Sequence, residues 1–150
     1  LGSTRWGAQY PIDLCTDQIK WRGIQLTCDV PQGKFIDCRP WQISQILLNL
    51  LYNAKDAIKN LDEKWIRIQV EFVNDKVLFR ITDSGKGIPN EIAKKIMQPF
   101  FTTKETGSGT GLGLSVSLGI AKSHSGTLVL NEDSPNTEFI LTLPQKQNQI

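Results

Sequence analysis

Histidine is almost missing from this sequence, with His124 its one occurrence. A single imidazole and scattered thiols do not make a tetrahedral ligand set, so a histidine- or cysteine-held metal site is not expected. Cysteine is sparse as well. Cys15, Cys28 and Cys38 are odd in number and include no Cys-x-x-Cys pair, which speaks against a disulfide framework. Cys28 falls in an alternating apolar pattern and is expected as a buried thiol in a reducing compartment. Long apolar runs are lacking: the longest, Ile46 to Leu51, is broken by Asn49, far short of a membrane span. No signal peptide precedes the first periodic segment. Charge of one sign is lacking too. A net charge of +2 gives no argument for nucleic acid or an anionic membrane as partner. The Gly-x-x-x-x-Gly-Lys-Ser/Thr spacing is absent, which excludes a P-loop.

What is present fits one domain: 150 residues are enough to bury a core of their own. Residues 1–11 carry little pattern and read as a flexible leader, a tag remnant or the tail of an upstream segment. The domain is expected over residues 12–144 and a frayed polar tail over 145–150. Ile12 to Arg22 reads as a short helix ended by Gly23. Ile24, Leu26, Cys28 and Val30 alternate with polar residues as in a half-buried strand. Pro40 to Asn60 is the strongest helix. Ile43, Ile46, Leu47, Leu50, Leu51, Ala54, Ala57 and Ile58 form one broad apolar face on it. Two alternating strands follow, Ile66 to Phe72 and Val77 to Thr82, joined at Asn74-Asp75. Glu91 to Met97 and Leu112 to Ser123 read as helices. Thr127 to Asn131 and Thr137 to Leu143 close the chain as a hairpin. Strands with one apolar and one polar face imply a mixed, mostly antiparallel sheet with helices on one side. The fold class is therefore a two-layer α/β sandwich of the α+β kind.

Three motifs carry chemistry. On the long helix, Asn49, Asn53, Asp56 and Asn60 form a polar stripe beside the apolar face. Asparagine and aspartate are poor residues for a helix interior, and an asparagine oxygen at the edge of a core is a neutral ligand for Mg²⁺. Next comes Asp83-Ser84-Gly85-Lys86-Gly87-Ile88-Pro89. By alternation Asp83 continues the inward face of Val77, Phe79 and Ile81, so its carboxylate needs a donor. Gly85 and Gly87 let the backbone bend and approach a ligand. The third is Phe100-Phe101-Thr102-Thr103-Lys104 followed by Gly107-x-Gly109-Thr110-Gly111-Leu112-Gly113-Leu114. Its glycines end where a helical pattern begins, and free N–H groups at a helix start bind phosphate. Each motif alone is weak.

In this order the blocks resemble the histidine kinase branch of the Bergerat-fold ATPases, and look like its N, G1, F and G2 boxes. The resemblance runs from about Ile12 to Pro144. The Pro-Phe-Phe-Thr-Thr-Lys wording looks most like the nitrogen-regulation type. It implies a Bergerat ATP-binding fold with ATP and Mg²⁺ as cofactors. It implies that Asn53 holds Mg²⁺ while Asn49 supports the site, and that Asp83 reads the adenine with Thr137 sharing a water. It implies that Asp56 and Ala57 lie along the site and that Gly85, Gly87 and Ile88 wall the adenine. Thr102, Thr103 and Lys104, with Gly109, Thr110, Gly111, Leu112 and Gly113, would form a lid over the phosphates. Many relatives have a lysine or arginine three residues after the Mg²⁺ asparagine. Here that place holds Asp56 with Lys55 before it, so Lys104 is the candidate cation for the γ-phosphate.

Hydrolases of the same fold, such as gyrase and the mismatch-repair MutL proteins, have a glutamate as general base where this chain has Asn49. An amide has no lone pair of suitable basicity to activate water. The resemblance thus implies phosphoryl transfer to a histidine on a helical-hairpin dimerisation domain outside this chain, with a response regulator downstream. It implies a cytoplasmic, monomeric domain that does not phosphorylate itself. His124 matches a structural histidine of the family, and a cation there would suit the helix dipole. A free-standing serine/threonine kinase or ATPase, or a degenerate nucleotide-binding module, are the alternatives. For docking the helical hairpin, Tyr10 to Ile12 and the Phe100–Phe101 base are the candidate surfaces.

Overall fold

The computed structural model describes residues 2–89 and 113–147. The first element is a surprise. Thr4–Gly7 is a strand, β1, where a pattern-free leader was expected. It pairs antiparallel with β3 (Phe35–Cys38), Thr4 facing Cys38 and Gly7 facing Phe35. A four-residue strand on a two-stranded ribbon offers too short a stretch for alternation to register. Helix α1 covers Gln9–Thr16 rather than residues 12–22. It starts earlier because Pro11 falls in the first turn, where no N–H is needed. Strand β2 (Gln25–Asp29) follows.

Helix α2 (Pro40–Ile58) begins as the sequence predicts, with Pro40 in first position and Arg39 extended before it. Its apolar residues Ile43, Ile46, Leu47, Leu50, Leu51, Ala54 and Ile58 are all buried. Ala57 is exposed instead, one step off the core face. Strands β4 (Trp65–Val73) and β5 (Lys76–Asp83) form a hairpin. Asn74 and Asp75 both have positive φ, 51° and 64°, the signature of a type I′ turn. Helix α3 (Gly113–Ser123), β6 (Thr127–Leu130) and β7 (Glu138–Pro144) complete the described chain.

Among the described residues the main sheet has five strands in the order β2-β4-β5-β7-β6. Only β2 and β4 run parallel; the other neighbours are antiparallel. Ile66, Ile68 and Val70 of β4, Val77, Phe79 and Ile81 of β5, and Phe139, Leu141 and Leu143 of β7 bury one face. Helix α2 packs on β4 and β5, flanked by α1 and α3. Among the described residues no helix is long and apolar enough to cross a membrane. Three expectations are corrected. Cys28 is exposed, while Cys15 and Cys38 are buried; among the described residues β2 is an edge strand, paired on one side alone. The outer sheet face is not simply solvated. Arg80 bridges Glu71 and Glu138, Glu138 also accepts from Thr82 and Asn131, and Thr82 and Glu138 are buried. Nor is residue 145 frayed. The Gln145 carbonyl accepts from the Asp37 N–H and its own N–H donates to the Asp75 carbonyl.

Helix α3 ends in a Schellman motif: Gly126 N–H donates to the Ala121 carbonyl at 2.8 Å and Ser125 N–H to Lys122 at 2.9 Å. The left-handed residue is Ser125, φ 59°, rather than a glycine. Gly126 is needed for space, since a Cβ there would sit 2.3 Å from the Thr142 carbonyl oxygen. Opposite outcomes are therefore expected at neighbouring positions. Ser125→Gly should stabilise by about 0.5–1 kcal/mol through relief of the left-handed strain. Gly126→Ala should destabilise by about 1–3 kcal/mol or more. Urea unfolding of both variants measures this; equal effects would contradict the motif.

Candidate functional site

Strand β5 ends inside the molecule. Asp83 is 4% exposed and lies on the face shared by Val77, Phe79 and Ile81, as alternation predicts. Its main-chain N–H donates to the Thr137 carbonyl at 3.0 Å, and Thr137 N–H donates to the Gly85 carbonyl at 3.2 Å. Its Oδ1 accepts the Gly85 N–H at 2.7 Å. The Thr137 hydroxyl accepts the Gly87 N–H at 3.1 Å. A Cβ on Gly85 would come 2.8 Å from Asp83 Oδ1 and 3.3 Å from Thr137 Oγ1, so carboxylate, hydroxyl and bare backbone converge at one corner. Gly87 holds φ 90°, which a side chain would strain. Asn136 was not anticipated. Its side chain donates to the Gly85 carbonyl at 3.1 Å, and a polar residue in a turn carries no sequence signal of such a bond. Ile88 borders an open hollow of about 400 Å³ between residues 86–89 and Asn131–Asn136.

The carboxylate is poorly compensated. Burial raises the pKa of Asp83 from 3.8 to about 6, against the pull of the Gly85 N–H bond. A second, neutral donor would relieve that penalty.

The polar stripe of α2 runs beside the core. Asn49 donates its amide to the Gly113 carbonyl at 3.4 Å and to the Ser117 hydroxyl at 3.1 Å. It thereby ties α2 to the start of α3, a role beyond the supporting one expected of it. Ser117, fully buried, was not anticipated either. Asn53 and Asp56 are half-buried further along. Asp56 pairs with Lys59 at 3.3 Å, and Lys55 donates to the Lys20 carbonyl at 2.8 Å. Lys55 is thus turned to the α1–β2 connection. Gly113 opens α3. Thr102, Thr103, Lys104, Gly109, Thr110, Gly111 and Leu112 lie outside the described residues, as do Phe100 and Phe101.

His124 is fully buried. Its Nε2 accepts the Arg39 N–H at 3.2 Å, so Nδ1 carries the proton and faces the Ile120 carbonyl at 3.1 Å. Burial, with Arg39 adding to it, holds the imidazole below its usual pKa. The expectation that His124 itself could be the cation at this helix end is corrected: the Arg39 guanidinium fills that place, donating to the Ser123 carbonyl at 3.1 Å. An enclosed neutral ring with both nitrogens engaged is no phosphoacceptor.

The protein-family model for histidine kinase-, DNA gyrase B- and HSP90-like ATPases matches residues 39–147, which hold α2, the Asp83 corner, α3 and Thr137. The chain belongs to this ATPase family. Sporulation kinase E of Bacillus subtilis is 34% identical over 139 residues, covering 91% of this chain and 18% of that protein. Sensor histidine kinase ZraS of Salmonella typhimurium is 34% identical over 137 residues, covering 90% and 29%. The chain spans less than a third of each. The nucleotide-free catalytic domain of histidine kinase ThkA superposes with TM-score 0.82 at 29% identity, over 97% of both chains. ThkA in complex with response regulator TrrA matches with TM-score 0.75 at 25% identity, over 95% of this chain and 42% of that one. Within the family, this chain is an ATP-binding catalytic domain of the sensor-histidine-kinase type.

The Asp83 corner generates a pH prediction. A carboxyl raised by folding favours the fold most below pH 3.8 and loses that contribution as pH rises through about 6. Asp83→Asn keeps an oxygen for Gly85 and removes the buried charge. The nucleotide-free variant should be more stable than the parent by about 1–3 kcal/mol at pH 8. The gap should close toward pH 4. Urea titrations at both pH values test it; a variant no more stable at pH 8 would refute the burial account.

Proposed function

We propose that this domain binds Mg²⁺–ATP and delivers the γ-phosphoryl group to a histidine on a dimerisation domain outside this chain. The observation that carries the reading is the corner at the end of β5. There Asp83, the Thr137 hydroxyl and the open backbone of Gly85 meet. A buried carboxylate with one backbone donor is suited to the exocyclic amine of adenine, and the Thr137 hydroxyl is suited to share a water with it. Gly85, Gly87 and Ile88 would wall the base. Asn49, Asn53, Asp56 and Ala57 on α2 and Gly113 at the start of α3 would line the way to the phosphates.

Asn53 suits Mg²⁺. The ion needs one or two hard oxygens from the protein and keeps waters and phosphate oxygens for the rest. Among the described residues no group of three or more His, Cys, Asp or Glu could hold a metal, which fits an ion carried by the nucleotide rather than a protein cage. When bound, Mg²⁺ neutralises phosphate charge. For the γ-phosphate, Lys55 is unsuited because it is turned to Lys20; Lys104, with Thr102 and Thr103, is proposed. Transfer to a protein histidine rather than to water is favoured by Asn49, whose amide is no base and is already bonded to α3. A response regulator is proposed as the downstream acceptor, and a cytoplasmic location for the domain.

Calorimetry with and without Mg²⁺ tests the site. Roughly micromolar ATP and ADP affinity is expected, improved by Mg²⁺ in the parent and not in Asn53→Ala. Mixing the domain with radiolabelled ATP and a relative's helical hairpin should label the hairpin's histidine but not the domain alone. Phosphate release without labelling would instead indicate a hydrolase.

A further inference from the structure

Helix α3 is tied to α2 at both of its own ends. Near the middle of α2, Asn49 reaches Gly113 and Ser117 at the start of α3. At the other end the bonds are reciprocal. The Arg39 N–H, left without an intrahelical partner at the N-cap of α2, is accepted by His124 Nε2 at 3.2 Å. The Arg39 guanidinium in turn donates to the Ser123 carbonyl at 3.1 Å and the Ser123 hydroxyl at 2.9 Å, closing the end of α3. Gln147 adds a bond from its side chain to the His124 carbonyl at 2.8 Å. The two ties are separated by about ten residues on each helix, or roughly 15 Å, with the helices antiparallel.

The hydrophobic driving force between the helices is non-directional, whereas hydrogen bonds between them join particular residues. Directional bonds at Asn49 and at the Arg39–His124 pair add fixed points to how far α3 lies along α2. The clasp is fixed at His124 and at Arg39. His124 is fully buried, its tautomer is dictated by Ile120 on one side and Arg39 on the other, and Arg39 is held by Ser123.

We infer that the His124–Arg39–Ser123 clasp sets the axial register of α3 on α2, making His124 a positioning residue for the phosphate end of the nucleotide site. The inference rests on the proposed nucleotide reading. His124 touches no nucleotide; it acts by fixing where Gly113 and the first turn of α3 stand relative to Asn49 and Asn53. The adenine end, built on β5 and Thr137, does not depend on it.

The experiment compares the parent with His124→Phe, which keeps a buried ring but no acceptor, and with His124→Gln, whose side-chain oxygen can accept the Arg39 N–H. Adenosine, ADP and a non-hydrolysable ATP analogue are titrated with Mg²⁺. In His124→Phe, adenosine affinity should stay within about twofold while both phosphorylated ligands weaken at least about tenfold; His124→Gln should recover most of the loss. Equal weakening of all three would mean a merely structural histidine, and no weakening would mean that the clasp positions nothing. Hydrogen exchange of the ligand-free proteins gives an independent readout. Amides of residues 114–118 should exchange at least about tenfold faster in His124→Phe, with β5 and β7 unchanged; unchanged exchange at α3 would overturn the inference. If the parent binds no ligand, the nucleotide reading fails while exchange still decides the clasp. Should His124→Phe not fold, Arg39→Met removes the guanidinium half, and the same selective loss is expected at smaller size.

Discussion

Everything in this domain is arranged around one helix pressed onto one sheet. Seven aliphatic side chains of α2, from Ile43 to Ile58, are buried on the inner side of the sheet and against α1 and α3. At about 25 cal/mol per Å² of apolar surface, that burial is the main force holding the layers together. It also fixes the rotation of α2 about its axis. Once the apolar face is turned to the sheet, Asn49 and Asn53 have one orientation left, at the border of the core. The chemistry of the site is thus aimed by greasy residues that never meet a ligand.

The strand beside that helix supports the site in a less comfortable way. Inner-face alternation on β5 places four residues in succession toward the core, and the fourth is a carboxylate. Val77, Phe79 and Ile81 favour the fold, whereas ionised Asp83 opposes it, with its pKa pushed up to about 6. Stability and the proposed recognition of adenine are therefore traded at a single position. Ser125 is a smaller instance, a left-handed residue without glycine's freedom. Its neighbour Gly126 is committed to making room for the Thr142 carbonyl.

Sequence reading was most successful where a signal repeats within a few residues. The α2 stripe, the β4–β5 hairpin with its Asn74-Asp75 turn, and the inward direction of Asp83 all follow from local periodicity and turn chemistry. The pairing of Asp83 with Thr137 was legible only through the resemblance to a family, because the two residues lie far apart along the chain. What stayed hidden was either short or long-range. Strand β1 is four residues long. Cys28 alternates like a core residue, but alternation cannot tell a covered sheet centre from a bare edge. The bonds from Asn136 to Gly85, from Asn49 to Ser117 and from Arg39 to His124 join residues 51, 68 and 85 positions apart. Nothing in a local pattern specifies them, and a buried polar side chain declares its partner only when the fold supplies one.

The small two-stranded ribbon lies close to the start of α2. Thr4 of β1 stands directly across from Cys38 of β3, and Cys38 is followed at once by Arg39. A tug or twist applied at the beginning of β1 therefore enters a hydrogen-bonded ladder and leaves it one residue from the N-terminus of α2. No flexible loop lies between to absorb it. The Gln145 backbone bonds to Asp37 and Asp75 brace the same ribbon against the β4–β5 turn. The ribbon thus joins the first strand to the root of the helix that carries Asn49 and Asn53.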